Sequence, residues 1–132
     1  MRIISRSLIL FFSVAAGTAG AVTVTIDSVV CYDTQDSDGA DHVYMIADGH
    51  GKTTPHRLDQ GGIWNPNLVI KNPTGPVRLS LFDKESIGSD DLLGIVNIPL
   101  TINNNGVETM KGRKSFWLGD YKWHYEVHYR VN

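Results

Sequence analysis

The chain has 132 residues, with twelve Lys and Arg against fourteen Asp and Glu. That acidic balance argues against a nucleic-acid partner, whose recognition needs a basic footprint. A single cysteine, Cys31, excludes an internal disulfide, so stability has to come from packing.

The first twenty-one residues are expected to stay outside the fold. Arg2 and Arg6 give a positive start, Leu8 to Ala16 is an apolar run, and Ala19-Gly20-Ala21 fits a small-residue cleavage site. The run is too short to span a bilayer. Residues 1–21 therefore read as a secretory signal, with an N-terminal anchor or a buried helix as the alternatives. The setting this implies is extracellular or periplasmic. The remaining 22–132 is 111 residues, the size of one compact domain. Without Arg2 and Arg6, ten basic residues face fourteen acidic ones, a net charge near −4.

Val22, Val24 and Ile26 alternate with Thr23, Thr25 and Asp27, the period of a half-buried strand. It is expected to continue through Val29 and Val30 after a local irregularity. Cys31 reads as a buried strand-end thiol in a monomer, with a disulfide-linked dimer as the alternative. Asp33 to Asp41 (D-T-Q-D-S-D-G-A-D) is a loop. His42 to Ala47 is a strand and Asp48 to Gly51 a turn. Thr53 to Leu58 is a short strand, placed at an edge by Pro55.

Gln60-Gly61-Gly62 turns the chain into Ile63 to Ile70, and Pro73 to Pro76 turns it again. Val77, Leu79 and Leu81 alternate with Arg78 and Ser80 to make the next strand. A carboxylate-rich loop follows, and then a strand from Leu92 to Leu100 that starts apolar on both faces. Asn103 to Gly106 reads as polar loop, with an unassigned segment to Gly112. Lys114 to Leu118 is a strand, Gly119-Asp120 a turn, and Trp123 to Val131 a final strand. No window carries a helical stripe. About eight short strands at a spacing of roughly ten residues predict an all-β antiparallel sandwich or barrel in one domain.

Eight of the fourteen carboxylates fall in two short stretches: Asp33, Asp36, Asp38 and Asp41, then Asp83, Glu85, Asp90 and Asp91. Carboxylates crowded into one loop repel one another unless something neutralises them, and a hard cation is the usual remedy. The all-oxygen donor set favours Ca2+ over zinc. Asp36-Ser37-Asp38-Gly39 is only a fragment of an EF-hand loop, without its final Glu or flanking helices. For each cluster taken alone, the competing reading is a solvated turn with Asp capping the backbone.

These residues carry a resemblance. Residues 22–132 resemble a C2 domain, the eight-stranded calcium-dependent lipid-binding sandwich. The specific part is Asp83 to Gly94, D-K-E-S-I-G-S-D-D-L-L-G, which is similar to that family's third-loop pattern. On it, Asp83, Glu85 and Asp91 fall on ligand positions, with Glu85 replacing the usual Asp, and Asp90 beside them. The first loop resembles the family's more loosely: Asp41 takes the second ligand position and Asp36 is the best candidate for the first. Six residues before Asp41 stands Gln35, so Asp38 or Asp33 is the alternative. Ile63-Trp64-Asn65-Pro66 is similar to the family's Asn-Pro-x-Trp-Asn segment with the order altered. Beginning with the strand before the first acidic loop is similar to the circularly permuted, second topology.

The resemblance implies loops at one end of the sandwich holding Ca2+, whose charge draws in anionic phospholipid headgroups. Ile87, in the Ser86–Ser89 tip, becomes a candidate for shallow membrane insertion, against the plainer reading of a lone exposed apolar residue. His124, Glu126 and His128 share a strand face, which a zinc ion or plain solvent suits. No nucleophile elbow or His-Glu-x-x-His motif is present, and the acids are too tightly clustered to divide into acid and nucleophile, so no catalytic residue is assigned. Trp64, Trp117, Trp123, Tyr125 and Tyr129 read as core, with a glycan platform the runner-up function and a calcium-stabilised protein-binding scaffold the third.

Overall fold

The computed structural model describes residues 21–35, 39–116 and 119–132. The expected leader lies outside the described residues apart from Ala21, as do Asp36, Asp38 and Trp117. Among the described residues ten strands follow one another: β1 (Thr23–Asp33), β2 (Ala40–Ala47), β3 (Gly51–Lys52), β4 (His56–Asp59), β5 (Ile63–Trp64), β6 (Leu68–Lys71), β7 (Val77–Asp83), β8 (Asp91–Ile98), β9 (Asn104–Phe116) and β10 (Gly119–Val131). The count exceeds the expected eight by β3 and β5, which are two residues each. Among the described residues there is no helix.

The strands form two antiparallel sheets. One runs β5-β1-β10-β9 with β6 also on β1, and the other runs β3-β2-β7-β8 with β4 also on β2. Their inward rows are Val24, Ile26, Val29 and Cys31 of β1, Val43 and Met45 of β2, Leu79 and Leu81 of β7, and Tyr125 and Val127 of β10, all fully buried. This is the alternation of the sequence turned into a sandwich core. Each buried aliphatic side chain contributes about 1.5–3 kcal/mol relative to exposure. Cys31 belongs to this core. Its thiol is fully buried, and burial pushes it up to about 11.

Register shifts explain where the alternation breaks, two in β1 and one in β8. In β1 the pairing with β10 shifts between Ile26 and Ser28. Asp27 is the extra residue, and its carboxylate accepts from Arg130 Nε at 2.9 and 3.0 Å. In β8 the shift falls opposite Leu81 and Phe82, and Leu93 is the extra residue. Leu93 and Gly94 then both face the core, which is why this strand starts apolar on both faces. At Gly94 a Cβ would stand 2.7 Å from Met110 Cγ, so the small residue is a packing requirement.

Other segments depart from the expected boundaries. Asn104 to Gly106, expected in a loop, and the unassigned run to Gly112 belong to β9, and Gly119-Asp120, expected as a turn, open β10. Gly112, where the unassigned run ended, is an interior residue of β9. It lies opposite Trp123, and a Cβ there would meet the indole Cζ2 at 1.9 Å. The glycine is the floor on which the ring lies. The expected strand Thr53–Leu58 begins only at His56. Thr53 receives Met45 N–H on its hydroxyl at 2.9 Å, and Pro55 has no amide to give a ladder. Trp64 is buried, pairs with Val29, and stacks on His56 with ring centroids 5.3 Å apart.

Candidate metal centre

The end of the sandwich that gathers the acidic loops is built from strand ends. Asp41 lies at the start of β2 and Asp83 at the end of β7, beside it in the same sheet, and both carboxylates are fully buried. Burying a carboxylate is costly unless donors meet it. Asp83 Oδ1 accepts from His42 N–H at 2.8 Å, and Lys84 N–H returns a bond to His42 O at 2.8 Å. Asp41 Oδ2 accepts from Gln35 N–H at 2.7 Å and from the Tyr125 hydroxyl, which reaches it from the opposite sheet. Burial, and then the hydrogen bond to Asp41 and the Asp41 charge, drive the Tyr125 hydroxyl far above its ordinary range, so it stays a donor.

Asp91 faces Asp83 directly across the β7–β8 ladder. Like charges in opposite positions destabilise a sheet, and Asp91 is surrounded accordingly. Gln35 Nε2 donates to its Oδ2 at 2.7 Å, and Lys114 Nζ lies 3.4 Å from its Oδ1. Partial burial would raise the Asp91 carboxyl. Its bonds to Gln35 and to the Glu85 carboxyl, with the Lys114 charge, outweigh burial and hold it below the usual carboxylate range. Glu85 and Asp91 are thus within hydrogen-bonding reach of each other, an arrangement two carboxyls adopt by sharing a proton or a cation.

The remaining carboxylates point elsewhere. Asp90 accepts from Tyr44 Oη at 2.5 Å and from Glu85 N–H at 2.9 Å, and these bonds keep it below its ordinary value. It ties the loop to the outer face of β2 instead of joining Asp91. Asp33 is exposed and accepts from Gln60 Nε2 at 3.4 Å, fastening the turn before β5. Asp36 and Asp38 lie outside the described residues. Ile87 is 90% exposed at the tip of the loop between β7 and β8. On β10, Glu126 takes both Tyr32 and His128, and His124 packs against the Tyr32 ring, so the two imidazoles do not converge.

Among the described residues no three His, Cys, Asp or Glu side chains are already drawn into a metal-holding group. The donor set nevertheless suits a hard cation. Asp41, Asp83, Glu85 and Asp91 offer oxygen alone, and a further buried oxygen, Gln35 Oε1, has no hydrogen-bond partner. Gln35 lies outside the carboxylate pattern of the two acidic stretches. The signal was its place six residues before Asp41.

No family model matches the chain, and no curated protein matches it. Among solved structures it is similar to a C2 domain of plant extended synaptotagmin 1, with 19% identity over 86% of this chain and 94% of that one and a TM-score of 0.53. It is also similar to another C2 domain, with 17% identity over 85% of this chain and 98% of that one and a TM-score of 0.51. The likeness is one of fold: the chain is a C2-like β-sandwich domain.

Proposed function

We propose that the chain is a secreted binding module, not an enzyme, that takes up Ca2+ at the acidic end and attaches in that state to anionic phospholipid membranes. The observation that carries the reading is that Asp41, Asp83 and Asp91 stand on neighbouring strand ends, with Glu85 reaching Asp91 from the loop. A cation bound there supplies positive charge where headgroup phosphates approach. The chain's own part is to hold the oxygens on strands that packing has already fixed. Asp41 and Asp83 are anchored by backbone amides, while Asp91 is held by the Gln35 amide and by Lys114, a 3.4 Å partner that a divalent ion can displace. Without the cation the acidic end repels a negative surface. Ile87, projecting from the adjoining loop, is placed to enter the headgroup layer once that repulsion is gone.

A glycan platform has less support, because Trp64, Tyr125 and Tyr129 are buried and Trp123 spends its indole N–H on Leu93 O at 2.8 Å. The cation site is tested by calcium titration calorimetry on the chain and on a variant with Asp83→Asn and Asp91→Asn. Saturable heat in the first and none in the second is expected; equal heats in both end the reading.

A further inference from the structure

We propose that Gln35 is itself a cation ligand, its Oε1 giving the acidic end a neutral oxygen beside Asp91. The inference rests on the cation-site reading above and names a residue that the carboxylate pattern does not include.

Gln35 is 6% exposed and is held at two points. Its backbone N–H donates to Asp41 Oδ2 and its Nε2 to Asp91 Oδ2, each at 2.7 Å. The residue therefore spans the gap between the carboxylate at the start of β2 and the one at the start of β8. Only an NH2 group can face a carboxylate lone pair, so the amide has one orientation. The same bond that fixes the nitrogen holds the oxygen, on the same carbon, near the Asp91 carboxylate. That oxygen is buried and accepts no hydrogen bond.

A buried amide oxygen without a donor is unfavourable, and its presence calls for an ion or a water molecule to meet it. A water would have to orient its hydrogens to an oxygen amid carboxylates that compete for them. A hard cation suits every atom present, since amide carbonyls rank with carboxylates among calcium's ordinary ligands. A neutral oxygen also completes coordination without adding to the repulsion among Asp41, Asp83, Glu85 and Asp91. Because affinity at such sites follows the number of charged ligands, Gln35 sets this one below what a fifth carboxylate would give.

The test uses terbium(III) in place of calcium, with luminescence lifetimes in H2O and D2O to count inner-sphere waters, and calcium calorimetry alongside. The proteins are the full chain, Gln35→Met and Gln35→Glu. Gln35→Met is expected to bind about tenfold more weakly and to admit about one more water. Gln35→Glu is expected to keep the original water count and to bind calcium about tenfold more tightly. Unchanged affinity and water count in folded Gln35→Met overturn the proposal and make the residue a clamp that meets water. Should Gln35→Met fail to fold, Gln35→Glu decides: binding no tighter than the original chain overturns it. An original chain that takes up neither terbium nor calcium overturns the cation site itself, a separate result.

Discussion

Tyr125 of β10 gives its hydroxyl to Asp41 of β2, so the two sheets are joined at the acidic end by one buried hydrogen bond between fully buried residues. The phenol also contributes its ring to the core, so one residue closes the sandwich and supports a carboxylate. In Tyr125→Phe the ring stays and the donor goes. A hydrogen bond to a charged group contributes about 1.5–3 kcal/mol, and that loss is expected in chelator as a lower urea midpoint with an unchanged slope. Calcium should recover part of it, because a cation meets the same charge. A midpoint that does not move would show that Asp41 does not depend on this donor.

Gly112 and Trp123 make a second test. Replacing Gly112 by Ala puts a methyl group where the indole lies and pushes Trp123 off Leu93 O. Overpacking of this kind costs about 1–3 kcal/mol. The Trp123 indole N–H should exchange faster with solvent in NMR spectra. An unchanged exchange rate would mean that the ring is not held by the carbonyl.

Alkaline pH tests the burial of Cys31. Burial raises its folded thiol to about 11 against an ordinary value of 9.0. A group whose folded value is raised contributes stability that is fully present below its unfolded value and is lost as pH rises through the folded one. Stability by urea denaturation should therefore fall between about pH 9 and pH 11, and less steeply in Cys31→Ala than in the original chain, though Cys31→Ala starts lower for the cavity it leaves. At pH 8 the native thiol should resist a disulfide reagent and react on unfolding. Rapid reaction in the native state would place it at the surface.

Much of the fold was legible wherever a strand buries one face and wets the other. Val24 and Ile26, Leu79 and Leu81, and the row from Tyr125 to Val131 all announced themselves by period two and all lie in the core. The pattern failed where a second constraint took over. The bulges at Asp27 and Leu93 reset the phase, and the glycine that the Trp123 indole requires at position 112 interrupts the side-chain pattern of β9. Of the candidate site, Asp41, Asp83, Glu85 and Asp91 were identifiable because carboxylates crowd there in sequence. The third-loop resemblance set Asp91 on a ligand position and Asp90 beside it; in the fold the sorting is done by Tyr44, 46 residues away in the chain, which takes Asp90 to the outer face. Gln35 was invisible to a search for charge, because its importance lies in where its amide is held.

The central claim is that cation binding at the acidic end controls attachment to membranes. The direct measurement is sedimentation of the full chain with vesicles of phosphatidylcholine alone, or of phosphatidylcholine with phosphatidylserine, each in calcium and in chelator. The chain is predicted to pellet with the phosphatidylserine vesicles in calcium, to stay in solution in chelator, and to ignore the neutral vesicles in both. Pelleting that is the same in calcium and in chelator, or absent with anionic vesicles in calcium, would contradict it.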